Sequence, residues 1–267
     1  MGAPKRGFLT LTRIGFAARG VMYLLVAWMA LRLGRAEDAG GALAYLASGR
    51  GKLLLAAMAA GFLAYALWRL ADAAFDLEGR GDEPKALGVR AVAAGSGLVH
   101  LGLAFAAAKL AFGYSHGGGG SSRKAEMASG FALHLPGGKL LLIAGAAVLL
   151  GAGIAQFAKA GRRTFLKHLR ADARRMWWVT AAGCGGYAAR GAVFVTAAWL
   201  LLRAGLDRRP GEAGGLGDSL KALPVAAEMA VAGGLALFGA FCLIEAWYRI
   251  LPEPAMPEKL KRKLPGR

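Results

Sequence analysis

Six long apolar runs, separated by short polar segments, dominate the pattern of this chain. They cover approximately Ile14–Leu33, Leu53–Ala74, Val89–Phe112, Leu140–Ala158, Trp177–Leu202 and Val225–Ile250. A helix rises about 1.5 Å per residue, so about 20 residues cross the ~30 Å hydrocarbon core of a bilayer. Because backbone groups in lipid must be hydrogen-bonded within the chain, each run is predicted to be a membrane-spanning helix.

The connections between the runs are short and are either charged or rich in glycine. They cover approximately Gly34–Gly51, Asp76–Lys85, Gly117–Ser122, Gly161–Arg175 and Arg208–Lys221. The run of glycines in the third connection predicts a flexible loop. The basic tail 252–267, which is rich in proline, is predicted to be disordered and cytoplasmic.

A motif that opens the first run returns later in the chain. The segment Gly15–Gly20 reads Gly-Phe-Ala-Ala-Arg-Gly, and Gly186–Gly191 reads Gly-Tyr-Ala-Ala-Arg-Gly. A weaker copy between them has Ser96 in place of the arginine. The pattern therefore predicts a single membrane domain, 1–267, built from three repeats at about 13–75, 89–159 and 177–251.

Each repeat crosses the membrane twice, so all three copies face the same way. We therefore expect an all-α polytopic membrane protein with six transmembrane helices, arranged as three parallel two-helix repeats around a pseudo-three-fold axis. Two stripes of small residues at four-residue spacing are candidates for close helix contacts. They are Ala147–Gly151–Ala155 and Ala232–Ala236–Ala240.

The chain resembles bacterial membrane proteins labelled domain of unknown function 1206. The resemblance runs from about Arg13 to Leu251 and is carried by the Gly-Phe-Ala-Ala-Arg-Gly opening, by Trp68-Arg69, and by the segment Glu245–Arg249. It implies a six-helix bacterial inner-membrane protein of three repeats and no established activity. The middle copy departs most from the motif, since it lacks the arginine.

Composition agrees with a membrane protein and limits the partners. The chain is 56% hydrophobic, has a mean hydropathy of +0.43, and carries a net charge of +18. No basic helix of a recognised nucleic-acid-binding module is present, so we expect no nucleic-acid partner. The excess charge instead favours contact with the anionic cytoplasmic leaflet of the bilayer. A membrane-protein partner or a homo-oligomer is also compatible with the pattern.

The basic residues predict the orientation. Of the 34 Lys and Arg residues, 20 lie on the side of the two termini and 12 on the opposite side. Because cytoplasmic loops carry the excess of positive charge, both termini are expected in the cytoplasm of a bacterial inner membrane.

Arg19 and Arg190 are the sharpest candidates for a functional role, because charges inside a membrane are costly. Two simpler readings compete with function: snorkelling to the headgroups, or an ion pair. The pairs considered are Arg19 with Asp72 and Arg190 with Glu245, which would pin each hairpin. Local pairs are the alternative, Arg69 with Asp72 and Glu245 with its neighbour Arg249.

His100 lies near the middle of the third run, where it could bind haem or relay protons. Haem usually needs a second ligand on a facing helix, and no other histidine lies in any run. Because His100 stands where the other repeats have Tyr23 and Phe194, a neutral, packed, hydrogen-bonded side chain is the favoured interpretation. Cys184 and Cys242 form no metal or disulfide pattern. We therefore predict no catalytic, cofactor-binding or metal residues.

The favoured function is that of a non-enzymatic structural or interaction module. The alternatives are a small transporter or channel, with a polar path lined by Arg19, Ser96, His100 and Arg190, and a lipid-handling membrane enzyme. A continuous hydrated axis would favour transport, and a dry, close-packed axis would favour the module. A cavity that is open sideways and holds a lipid would favour the lipid-handling enzyme or a lipid carrier.

Overall fold

The computed structural model describes residues 3–34, 37–48, 51–79, 81, 83–114, 121–207, 209–213 and 216–250. Ten α-helices and two 3₁₀ turns form within these ranges. The helices are α1 (Ala3–Leu33), α2 (Ala39–Ala47), α3 (Lys52–Phe75), α4 (Pro84–Ala111), α5 (Ser121–His134), α6 (Gly138–Arg162), α7 (Ala171–Arg174), α8 (Trp177–Leu206), α9 (Leu216–Lys221) and α10 (Val225–Tyr248). The 3₁₀ turns are Thr164–His168 and Pro210–Glu212.

The six long helices α1, α3, α4, α6, α8 and α10 are each long and apolar enough to cross a membrane. They coincide with the six predicted runs, so the prediction of an all-α polytopic membrane protein is confirmed. The largest shift of a boundary in the interior of the chain is at α4, which begins at Pro84. Proline suits that place because the first turn of a helix needs no N–H from it.

The connections opposite the termini are more ordered than predicted. We call that side of the bundle the loop end. Each of its three connections contains a short helix: α2, α5 or α9. The first of these has a local cause, since the Asp38 carboxylate accepts a hydrogen bond from the Gly41 amide at 2.8 Å and caps α2. Residues 117–120 of the predicted flexible loop and the tail from 251 lie outside the described residues.

The most extensive helix contacts run between repeats. They join α3 to α4, α6 to α8, and α10 to α1, so the first helix of each repeat packs on the second helix of the preceding one. Three equivalent glycines make this approach possible, since a Cβ on any of them would lie within 3 Å of a large side chain. The pairs are Gly20 with Leu243, Gly97 with Leu70, and Gly191 with Phe157.

A second set of close contacts closes the hairpins of repeats 1 and 3. An added Cβ at Gly15 would lie 2.6 Å from the Tyr65 Cβ, and one at Gly186 would lie 2.6 Å from the Phe238 Cα. The two pairs occupy equivalent places in the two repeats. Only glycine lets the backbone of the first helix approach the aromatic residue of the second so closely.

The middle hairpin is open, because α4 and α6 make no contact of comparable extent. The sequence explains this difference. Val92 and Ala152 stand where repeats 1 and 3 have the glycine and the aromatic residue. Val148 stands where repeats 1 and 3 have a second glycine in close helix contact, Gly61 and Gly234. Both valines are exposed at the protein surface, Val92 by 66% and Val148 by 70%. The pseudo-three-fold arrangement is therefore approximate, and we call the gap between α4 and α6 the open side.

Apolar side chains fill the centre of the bundle toward the loop end. This core cluster joins Val26 of α1, Leu43 of α2, Phe62 of α3, Ala107 of α4 and Leu235 of α10. The predicted small-residue stripes behave differently from each other. Ala232, which opens the stripe on α10, is buried, whereas all three members of the stripe on α6 are exposed. That second stripe does not pack as predicted.

Tryptophans mark the surface of the bundle, as expected of interfacial anchors. Five of the six expose more than two fifths of their area: Trp28, Trp177, Trp178, Trp199 and Trp247. Trp68 is the exception, with 1% exposed, and packs in an aromatic cluster nearer the termini. That cluster surrounds the charged residues of the bundle.

Candidate functional site

Two arginines lie at equivalent places in the half of the bundle nearer the termini. The Arg19 guanidinium carbon of α1 is 4.6 Å from the centre of the Tyr65 ring, and that of Arg190 in α8 is 4.6 Å from the Phe238 ring. The two rings are those fixed by the glycine contacts within repeats 1 and 3. Each arginine therefore forms a cation–π contact with the second helix of its own repeat.

The two arginines differ in their hydrogen bonds. Arg19 donates to the Tyr65 hydroxyl at 2.6 Å and is 7% exposed, so it turns inward rather than snorkelling. Phe238 has no hydroxyl to offer. Within the described part of the chain, Arg190 contacts the rings of Phe238, Tyr23 and Phe194 and has no hydrogen-bonding or acidic partner.

The acidic candidates pair locally rather than across the hairpins. The Arg69 guanidinium is 3.4 Å from the Asp72 carboxylate, which also accepts the backbone N–H of Glu78 at 3.0 Å. Arg249 donates to Glu245 at 2.7 Å. The predicted ion pairs across each hairpin are therefore not formed, and the local alternatives are formed instead. Residues three or four positions apart on one helix lie side by side, so their side chains pair readily.

Arg249 also links the first repeat to the third. Its second terminal nitrogen is 2.7 Å from Glu78, in the connection after α3, and both side chains are less than a tenth exposed. The guanidinium lies 4.6 Å from the Phe16 ring and 5.0 Å from the Trp68 ring. Glu78 could not be singled out from the sequence. It lies in a connection with several charged residues, and nothing in that pattern shows which of them packs against the bundle.

His100 packs inside the same region. Its Nδ1 atom is 2.7 Å from the backbone oxygen of Ser96, and its ring centre is 4.4 Å from that of Tyr65. The imidazole therefore packs against the same Tyr65 ring that Arg19 contacts. In the described residues, no group of three His, Cys, Asp or Glu side chains could hold a metal ion.

Lys159 also belongs to this region, although it lies just past the end of the fourth predicted run. The glycine contacts between repeats set the register, because Leu243, Leu70 and Phe157 occupy equivalent places. Two residues beyond them lie Glu245, Asp72 and Lys159. Repeat 2 therefore carries a lysine where the other repeats carry an acid, and a serine where they carry an arginine. Aligning the second helices could have revealed it.

The side chains converge on one region, with one residue from each long helix. We call them the central charged group: Arg19, Arg69, His100, Lys159, Arg190 and Glu245. The His100 ring is within electrostatic reach of the three arginines, and Lys159 is within reach of those arginines and of Glu245. All six predicted candidates except Asp72 belong to this group, and Asp72 binds one of its members.

A separate cleft of about 480 Å³ lies at the loop end. Its lining includes Glu126, Arg203, Glu212 and Asp218, and the Arg203 and Glu212 side chains form an ion pair at 3.2 Å. The charges of this cleft are thus already paired in part. It lies at the C-terminal end of α8, about three and a half turns beyond Arg190, and does not belong to the central charged group.

Comparison with known proteins identifies relatives without an assigned activity. The family model described as Domain of Unknown Function (DUF1206) matches residues 14–76, 91–163 and 185–249. An uncharacterized protein of Bacillus subtilis (strain 168), YxxB, is 28% identical over 250 residues, which cover 89% of this chain and 90% of the relative. No solved structure matches the chain. The three family matches fall on the three repeats.

Proposed function

The chain belongs to the DUF1206 family of membrane proteins, and we propose that it is a non-enzymatic module that acts by helix packing, by lipid contact and by association with another membrane protein. One observation carries this proposal. The core cluster fills the centre of the bundle with apolar side chains from α1, α2, α3, α4, α8, α9 and α10. A packed apolar axis suits a structural module better than a water-filled path.

The transporter alternative would use Arg19, Ser96, His100 and Arg190 to line a polar path. Two of these four side chains already form hydrogen bonds within the bundle: Arg19 with the Tyr65 hydroxyl, and His100 with the Ser96 backbone carbonyl. Arg190 is left with aromatic contacts. The open side favours lipid contact over an axial pore, because it faces sideways into the bilayer.

We further propose that the module lies in the bacterial inner membrane with both termini in the cytoplasm. The basic segment Gly161–Arg175 would then face the anionic leaflet. Phe165 and Leu169 of this segment are buried against the end of the bundle, and the Arg170 amide donates to the Tyr248 carbonyl at 3.0 Å. The segment is thereby held close to the membrane surface.

Thiol accessibility tests the packed axis. In a variant lacking both native cysteines, Val26→Cys and Ala107→Cys place thiols in the core cluster, and Ser48→Cys places one at the exposed loop end. We expect a charged methanethiosulfonate to label the Ser48→Cys variant and to leave the other two unlabelled. Rapid labelling of Val26→Cys or Ala107→Cys in folded protein would instead support the transporter.

A further inference from the structure

Three of the four Arg and Lys residues of the central charged group have no carboxylate within ion-pair distance in the described residues: Arg19, Lys159 and Arg190. The acids of the same region are engaged elsewhere, since Asp72 binds Arg69 while Glu245 and Glu78 bind Arg249. Unneutralised charge inside a membrane is costly, and proteins normally place an opposite charge beside it. The missing partner is therefore an anion.

Two of these cations lie on the neighbouring helices α6 and α8. The Lys159 ammonium of α6 is 5.9 Å from the Tyr187 ring of α8, and Tyr187 lies one helical turn before Arg190. At the equivalent interface between α10 and α1, the register places Glu245 opposite Arg19. Between α3 and α4 it places Asp72 opposite Ser96. Only the interface between α6 and α8 has a cation in both places.

Unsatisfied donors lie in the same central charged group. The Nε atoms of Arg19 and Arg69 are buried without a hydrogen-bond partner in the described residues. Arg19 as a whole is 7% exposed. Buried polar groups are nearly always hydrogen-bonded in folded proteins, and an N–H group without an acceptor is one that an anion can satisfy.

We propose that Arg190 and Lys159 bind a phosphate group, with Arg19 adding positive charge behind them. Arginine and lysine are the usual ligands of phosphate, the first through its planar fork and the second as a point charge. The open side gives access from the bilayer, and the exposed Lys159 lies on α6, which borders it. Phosphate can come from an anionic lipid headgroup or from free phosphate. This inference goes beyond the proposed function, because a phosphate site is compatible with a packing module and with a carrier alike.

Ligand-induced thermal stabilisation tests the site and distinguishes the two sources. The full chain in a non-ionic detergent is titrated separately with short-chain phosphatidylglycerol, short-chain phosphatidylcholine and inorganic phosphate. We expect phosphatidylglycerol to raise Tm clearly more than phosphatidylcholine, because the choline cation of phosphatidylcholine compensates the charge of its phosphate. Equal rises with the two lipids would contradict an anion site. A rise with inorganic phosphate alone would also support the site and would assign it to a free anion. No rise with either anion would overturn the proposal.

Matched charge variants locate the effect. Lys159→Gln is expected to weaken phosphatidylglycerol binding about tenfold, which corresponds to about 1.4 kcal/mol, and Lys159→Arg to retain it. Arg162→Gln removes an exposed charge from the same end of α6 and is expected to bind like the native protein. An equal loss of phosphatidylglycerol affinity in Lys159→Gln and Arg162→Gln would show that the lipid is attracted only by surface charge. That result would overturn the proposed site.

Arg190→Gln is the second test, and it is checked for folding by its elution as a single species in size-exclusion chromatography. In folded protein it should abolish stabilisation by the anion. Lys159 is exposed, so we expect Lys159→Gln to fold like the native protein. The phosphate site can therefore be tested with the Lys159 variants even if Arg190→Gln does not fold. These titrations measure binding and not transport or enzymatic activity. Their outcome therefore does not depend on whether the proposed structural function is correct.

Discussion

Tyr65 and Phe238 occupy equivalent positions in repeats 1 and 3, but only Tyr65 has a hydroxyl. The two arginines that they contact therefore differ in their environments. With that hydroxyl, Arg19 has a hydrogen-bond acceptor at 2.6 Å in a buried site. Without it, Arg190 contacts only aromatic rings, those of Tyr23, Phe194 and Phe238, in the described part of the chain. The first arginine is thus placed to stabilise the fold, and the second is free to bind a ligand.

Removing the hydroxyl of Tyr65 should therefore destabilise the protein. Tyr65→Phe leaves the buried Arg19 guanidinium without its acceptor, and we expect a loss of about 1–3 kcal/mol in the free energy of unfolding. The measurement is equilibrium unfolding in mixed micelles. Tyr187→Phe is the control, because no hydrogen bond of the Tyr187 hydroxyl occurs in the described chain. Equal losses in the two variants would contradict this assignment.

The bridge through Arg249 gives a second expectation at this scale. Glu245→Gln removes one of the two carboxylates that hold a buried guanidinium, and the free energy of unfolding should fall by about 1–3 kcal/mol. Glu83→Gln, at an exposed position before α4, should change it by less than about 0.5 kcal/mol. Thermal unfolding of both variants in the same detergent compares them. A Glu245→Gln protein as stable as the native one would show that the bridge contributes nothing.

At the scale of the helices, glycine decides which ones touch. The spans themselves and their repetition could be predicted from apolar run length and from the Gly-Phe-Ala-Ala-Arg-Gly motif. The open middle hairpin could not, because Val92 and Val148 read as ordinary apolar residues until the contacts of their equivalents are known. The short helices α2, α5 and α9 were missed for a similar reason, since glycine-rich connections resemble loops.

Matched glycine substitutions test this role. Gly15→Ala would bring a Cβ to 2.6 Å from Tyr65, and we expect the free energy of unfolding to fall by about 1–3 kcal/mol from overpacking. Gly95→Ala, in the open middle hairpin, meets nothing within 4 Å. It should be neutral or stabilise by up to about 1 kcal/mol, because alanine favours the helix. Thermal unfolding of the two variants is the measurement, and a destabilising Gly95→Ala would indicate that the hairpin is closed.

At the scale of the whole molecule, one unit used three times gives a bundle with two closed hairpins and one open one. The charges follow the same division. Residue types alone marked Arg19, Arg190, Glu245, Asp72, Arg69 and His100 as candidates. The partners of these residues depend on which helices pack together, and residue types do not show that. The role of Lys159 became visible only when the second helices of the three repeats were aligned.

Distances between equivalent spin-label pairs test this account most directly. The pairs are Val21 with Leu67, Leu98 with Ile154, and Ala192 with Ala240, each replaced by labelled cysteines in protein that lacks native cysteines. Double electron–electron resonance should give similar distances for the first and third pairs and a longer one for the second. Three equal distances, or a first pair that differs from the third, would contradict the three-repeat bundle with an open middle hairpin.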